Sequence, residues 1–119
     1  MGRRVEKPWG HELIWAETDA YVGKILVIET GRRLSLQYHE TKDETILVLA
    51  GRLRLHIGPA HDALEEVELG PGHSHHVTPG TIHRYEAIER VELAEVSTTE
   101  LDDVVRLQDD FGREGTSAP

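Results

Sequence analysis

Turn-forming residues recur along this chain at short intervals, and that spacing limits the fold more than any other feature. Pro8-Trp9-Gly10, Thr30-Gly31, Gly51, Gly58-Pro59, Gly70-Pro71-Gly72 and Pro79-Gly80 separate short apolar, β-branched runs. Runs that recur about every 8–12 residues between Gly/Pro turns are too short for ordinary helices and read as strands of an antiparallel sandwich or barrel. Leu53, Leu55 and Ile57 alternate with Arg52, Arg54 and His56, so one face of that strand is apolar and the arginines face outward. Gly51, between Thr45–Ala50 and Arg52–Ile57, predicts a hairpin, and His83–Ile88 and Val91–Ser97 read as two further strands. At Thr99 the pattern changes, and Thr99-Glu100-Leu101-Asp102 carries the capping chemistry of a short C-terminal helical turn. Residues 1–119 form a single domain, with 1–6 and 114–119 expected to be flexible ends.

One run breaks the alternation. Ile25 to Ile28 is apolar on both faces, whereas a barrel strand with one wet face should alternate. Two explanations carry equal weight: the N-terminal segment covers the outer face, or a second copy does, which makes the protein a homodimer.

Charge and composition remove several function classes. Asp and Glu outnumber Lys and Arg by 22 to 13, giving a formal charge of −9, which argues against nucleic acid and anionic membranes as partners. The chain has no cysteine, so disulfides, thiolate metal sites and cysteine nucleophiles are excluded. No apolar stretch approaches the ~20 residues that span a bilayer, and Met1-Gly2-Arg3-Arg4 is not followed by a signal-peptide core. A cytoplasmic protein is expected.

The chemistry concentrates between Gly31 and Gly51. Gln37 and His39 lie two apart in the run Leu34–His39 and so share one face of a strand. Glu44 opens the next apolar run, and His83 follows the Pro79-Gly80 turn. Two imidazoles, a carboxylate and an amide oxygen suit a divalent metal of borderline softness such as zinc. Left at the core boundary without partners, such groups would cost a few kcal/mol each. A second cluster, His73, His75 and His76, sits in a turn where solvated histidines are the ordinary case, with adventitious nickel or zinc binding as the alternative.

The spacing Gly31-x5-Gln37-x-His39-x4-Glu44-x6-Gly51 resembles the first motif of the cupin superfamily at every anchor. Gly72, Gly80 and His83 fit the second motif, with Thr78 and Ala87 where Pro and Asn are usual. KPWG at Lys7–Gly10, LSLQYH at Leu34–His39 and DDVVRLQDDFGR at Asp102–Arg113 are similar to the C-terminal cupin domain of type II mannose-6-phosphate isomerases.

That resemblance implies an all-β fold, the double-stranded β-helix or cupin jelly roll. It implies a metal-dependent isomerase interconverting mannose 6-phosphate and fructose 6-phosphate through a cis-enediol. The metal, one per chain, would be zinc, with manganese, nickel, cobalt or iron as alternatives, held by Gln37, His39, Glu44 and His83. The small-molecule substrate, a phosphorylated sugar, would be bound by Lys24, Lys42, Arg84 and Arg106. Lys24 and Glu95 are the catalytic candidates for proton transfer: each alternates with apolar residues and is expected to point inward. The family's Arg after Lys24 is Ile25 here, and its Arg before the Glu ligand is Lys42. No nucleotidyltransferase domain lies within these residues, so guanylyltransferase activity is not expected of them. Two other classes remain open, a non-catalytic metal- or sugar-binding cupin and an iron-dependent cupin dioxygenase. Metal content separates the latter, and turnover separates isomerase from binder.

Overall fold

The computed structural model describes residues 2–114. Nine strands follow one another: β1 (Arg3–Lys7), β2 (Gly10–Glu17), β3 (Val22–Ile28), β4 (Leu36–Tyr38), β5 (Glu44–Gly58), β6 (Glu65–Leu69), β7 (Ser74–Val77), β8 (Ile82–Ser97) and β9 (Val105–Gln108). All belong to one antiparallel sheet.

β5 and β8 are about three times as long as most of the others and pair with each other from Glu44↔Ser97 to Gly58↔Ile82. Their ladder is shared between two halves of the sheet. The end carrying Glu44–Val48 and Val91–Ser97 lies between β3, with β2 and β1 beyond it, and β7. The other end lies between β6 and β4, with β9 beyond. Register shifts between Val48 and Leu53 crease the ladder in the middle. The sheet folds over along this crease, and one core fills the inside. Leu26, Ile28, Ile46, Val48, Leu53, Leu55, Val91 and Leu93 pack there from both halves, with Trp9 among them. The period-2 alternation places them: Ile46 and Val48 face inward while Leu47 and Leu49 face outward.

Gly51 therefore does not turn a hairpin. It sits inside β5 at the crease, with φ of 83°, and a Cβ there would lie 1.9 Å from the Arg90 carbonyl oxygen. Glycine at a barrel corner lets two backbones approach and the strand bend without ending. The two runs expected on either side of Ile88–Val91 are likewise one strand, β8.

The chain ends also differ from expectation. In place of a loose arm, residues 3–7 pair with β2, because the outer edge of β2 presents backbone groups that need partners. Glu114 is the only part of the expected C-terminal flexible end within the described residues. No helical turn forms at residues 99–102. The next residue, Asp103, ties this segment elsewhere: its carboxylate accepts hydrogen bonds from the amides of Glu40, Thr41 and Lys42 at 3.0, 2.7 and 2.8 Å. No helix among the described residues is long and apolar enough to cross a membrane.

β1 and β2 extend the sheet edge-on and do not cover the outer face of β3. A row Leu13–Ile25–Ala94–Leu47 runs across four strands on that face. Trp15 lies across Gly23 beside it and remains 53% exposed, and Val96 52%.

The crease predicts a contrast between two glycines of similar dihedral. Gly31 (φ 79°) has nothing within 4 Å of an added Cβ. Gly31→Ala should cost about 1 kcal/mol in urea denaturation, the left-handed penalty alone, whereas Gly51→Ala should cost about 3 kcal/mol or more because the backbone must also move. Equal losses would refute the corner role of Gly51.

Candidate metal centre and its cavity

The folded-over ladder brings distant ends together. Glu44 opens β5, while His83 pairs with Ile57 thirteen residues further along that strand. Extended, this is roughly 40 Å. Across the interior, His83 Nε2 is 3.3 Å from Glu44 Oε1. His39, just after β4, places its Nε2 2.8 Å from the same oxygen, and β4 holds Gln37 opposite His83.

The hydrogen bonds on the far side of each ring decide what these atoms can do. His39 Nδ1 donates to the Asp103 carbonyl, and His83 Nδ1 donates to the Thr81 carbonyl at 2.9 Å. Neutral rings held this way carry the lone pair on Nε2. Despite the short approaches, His39 Nε2, His83 Nε2 and Glu44 Oε1 are buried without a partner in hydrogen-bond geometry. Two lone pairs and a carboxylate aimed at one point repel unless a cation or proton lies between them. Their ligand atoms all fall within 4.8 Å of one another, and these three residues can hold a divalent metal. Gln37 lines the same cavity, with its Oε1 accepting from Ser35 Oγ at 2.9 Å.

The cavity holds about 60 Å³, space for a few small oxygen ligands. Glu95 enters it from β8, fully buried. Burial first, then the charge of Glu44, push the Glu95 carboxyl up to about 8, against the pull of Lys42. Burial alone would raise Glu44 too; the proton-bearing Glu95, the facing imidazoles and Lys42 hold it well below the usual carboxylate range. Two adjacent carboxyl groups are thus driven apart, one anionic and one able to carry a proton. Lys42 Nζ lies 3.4 Å from Glu95 and Lys24 Nζ 3.3 Å from Glu12.

Lys24, Lys42, Glu95 and Arg106 all line the cavity, as does the metal quartet except His83, which is fully buried against Glu44 and Tyr85. Arg84 does not. It follows His83 directly on β8 and points to the other face, where its Nε donates to the Leu34 carbonyl at 2.8 Å and Nη2 to the Gln108 carbonyl at 3.3 Å. It ties strands together and is removed from the expected substrate contacts. The turn histidines form no second centre: among the described residues only one group of three metal-ligating side chains converges. His73 Nδ1 accepts from the Gly70 amide, and His76 meets the Asp43 carboxylate.

Sequence reasoning missed Lys7, Glu12, Tyr85, Asp103 and Arg113. Tyr85 was within reach, since it lies two residues from His83 on the same strand and hence on the same face. Its ring sits 5.4 Å from that of His83 and its buried hydroxyl has no hydrogen-bond partner. Complete burial, then the charges of Glu44 and Glu95, push that hydroxyl well above its ordinary range, so it remains a donor. Lys7, Glu12, Asp103 and Arg113 depend on long-range pairings that no local pattern announces.

Residues 1–109 match the family described as "Mannose-6-phosphate isomerase C-terminal". The chain is 31% identical over 118 residues to the mannose-1-phosphate guanylyltransferase ManC of Salmonella typhimurium, covering 95% of this chain and 24% of that one. It therefore spans about a quarter of that relative's length. Among solved structures, CapF bound to 3-isopropenyl-tropolone superposes with a TM-score of 0.80 at 16% identity, over 91% of this chain and 35% of CapF. Oxalate decarboxylase of Bacillus subtilis, described with Mn(II) centres, superposes at 0.75 and 17% identity, over 88% and 30%. Such likeness establishes the curled cupin sheet.

His83→Ala removes one ligand while leaving the apolar strands intact. Elemental analysis should find about one divalent metal per chain in the wild type and almost none in the variant, with far-UV circular dichroism unchanged. Equal metal in both would show that the ion sits elsewhere.

Proposed function

Because the chain belongs to the family of mannose-6-phosphate isomerase C-terminal domains, we propose that it interconverts mannose 6-phosphate and fructose 6-phosphate. The observation that carries this reading is a metal-ligating triad, His39, Glu44 and His83, whose first two members line one cavity together with Glu95, a carboxyl group pushed up to about 8 by burial and by the charge of Glu44. A divalent cation held by His39, Glu44 and His83 would supply Lewis acidity toward the sugar carbonyl and its neighbouring hydroxyl. Zinc suits this donor set, and the Mn(II) centres of the similar decarboxylase support manganese as well.

The chain's own residues supply the rest. Aldose–ketose isomerisation moves one carbon-bound proton between C1 and C2 through an enediol, which a single carboxylate can take and return, while the hydroxyl proton passes between the two adjacent substrate oxygens. Glu95 is that group: burial and the charge of Glu44 favour its protonated form, while Lys42 beside it favours the carboxylate, so it can both hold and release a proton. Tyr85 Oη donates to a substrate oxygen, satisfying a hydroxyl otherwise buried without a partner. Lys24 draws the anionic substrate inward in a chain whose net charge opposes it.

The departures from the family pattern bear on this differently. Ile25, in place of the family's Arg, faces outward between Leu13 and Ala94, so that change leaves the cavity untouched. Lys42, in place of the other Arg, keeps a cation against Glu95 but without the fork of a guanidinium. This one change favours the second reading, a metal- and sugar-binding module without turnover. A phosphorylated substrate and a chain without cysteine fit the cytoplasm.

Metal-loaded protein incubated with fructose 6-phosphate in D2O separates the readings. Mannose 6-phosphate carrying deuterium at C2 is expected by NMR, and Glu95→Gln should lower the rate by about a hundredfold or more. Saturable sugar binding with neither product nor exchange would leave the binding module standing.

We also place a second copy of the chain on the uncovered outer row around Leu13, Ile25 and Leu47. Light scattering at micromolar concentration should give twice the chain mass, from an interface burying on the order of 1,000 Å² or more, and Leu47→Glu should shift it toward the monomer. A clean wild-type monomer would refute this.

A further inference from the structure

His39 and Glu44, two of the three metal-ligating residues, are joined by only four residues, Glu40 to Asp43. This connector belongs to no strand, so its backbone groups must find partners outside any ladder. All four of its amides are taken by one segment, the chain just after β8. The Asp103 carboxylate accepts from Glu40 through Oδ1 at 3.0 Å, and from Thr41 and Lys42 through Oδ2 at 2.7 and 2.8 Å. Thr98 Oγ1 accepts from the Asp43 amide at 3.0 Å, and the Thr98 amide donates to the Asp43 carbonyl at 3.0 Å. Successive amides gathered round one carboxylate form an anion nest, here filled by the chain itself. Asp103 also orients the ligand that precedes the connector, because its carbonyl takes the Nδ1 proton of His39. The His39 carbonyl in turn accepts from the Gly80 amide at 2.7 Å.

The three ligands are held unequally. Glu44 and His83 lie within the β5–β8 ladder, and its pairing fixes them. His39 lies outside every strand, so its ring and the chain leading from it to Glu44 depend on the segment after β8. We propose that Asp103 is the positioning residue of the metal centre, with Thr98 supporting it. Its carboxylate fixes the connector and its carbonyl fixes the ring, so His39 Nε2 is aimed in advance at the point where Glu44 and His83 converge. The inference rests on the metal-binding reading of those three residues. Ligands already in place bind without first being ordered, and removing a group that orients a metal-ligating histidine typically costs about 10–100-fold in affinity. Lys42 takes its place against Glu95 from the same clamp, since its amide is one of those Asp103 holds.

Cobalt(II) titrated into the full chain tests this, because its visible absorption reports ligand geometry as well as occupancy. Asp103→Ala should bind Co(II) about tenfold or more weakly, with altered visible bands. Asp103→Asn, which keeps one acceptor oxygen, should fall between that variant and the wild type. Asp110→Ala is the control: it releases the same C-terminal stretch from Arg33, leaves the connector alone, and should bind Co(II) as the wild type does. Amide exchange of the metal-free protein gives a second readout. Glu40, Thr41 and Lys42 should be protected in the wild type and in Asp110→Ala, and should lose protection in Asp103→Ala. Co(II) bound alike by the wild type and Asp103→Ala overturns the proposal, as do freely exchanging connector amides in the wild type. An equal loss of affinity in Asp110→Ala overturns it too, since Asp103 would then be a general tie for the chain's end. Should Asp103→Ala fail to fold, Asp103→Asn and Thr98→Val decide. Thr98→Val keeps the side-chain shape and removes only the acceptor of the Asp43 amide. Weaker binding in both supports the clamp, and unchanged binding in both sinks it. A wild type that takes up no Co(II) sinks the metal centre itself, and the proposal with it.

Discussion

The pairing of β5 with β8, creased at its middle, is the constraint on which the molecule depends. A flat ladder of this length would hold Glu44 and His83 at opposite ends. Folded over, it sets them 3.3 Å apart and encloses the core between its halves. The crease in turn depends on Gly51, where one backbone must pass close to the carbonyl of Arg90. The chemistry of the interior is thus a consequence of sheet geometry: the residues that could bind a metal are assembled by the same bend that makes the fold compact.

Around that bend, orientation is supplied by backbone carbonyls. Asp103 and Thr81 each take the Nδ1 proton of one imidazole and so aim its other nitrogen inward. Asp103 also gathers the amides of Glu40, Thr41 and Lys42, which fixes the short connector between His39 and Glu44. One residue beyond β8 therefore sets both the ring that faces the carboxylate and the segment that carries Lys42. The same interior separates two glutamates that would otherwise titrate alike, because Glu44 faces imidazoles while Glu95 faces Glu44.

Much of this was written in alternation. Gln37 with His39, and Glu95 with Val91 and Leu93, share faces that period 2 assigns without a structure, and the inward aim of Lys24 follows the same rule. That rule also excludes Arg84, which is adjacent to His83 and must face the other way; family position outweighed it wrongly. Gly51 was misread because a glycine between two apolar runs signals a turn or a bend equally well, and only the partner strand distinguishes them. β1 was invisible because Arg3, Arg4 and Glu6 are poor strand formers, and their order comes from an edge they complete. The capping signal at Thr99–Asp102 led to no helix because the segment is held instead through Asp103, whose carboxylate takes the amides of Glu40, Thr41 and Lys42.

Lys7 stands near the start of the described chain and Arg113 near its end, and both line the cavity. β1 and β9, beside which these residues stand, are edge strands with one neighbour each, and strands held on one side open most readily. A ligand in the cavity that touched both residues would act as a clasp between the two edges of the sheet. Occupancy of the interior would then be legible at the sheet's edges, as slower amide exchange and slower proteolysis of β1 and of the turn after β9, far in sequence from the histidines.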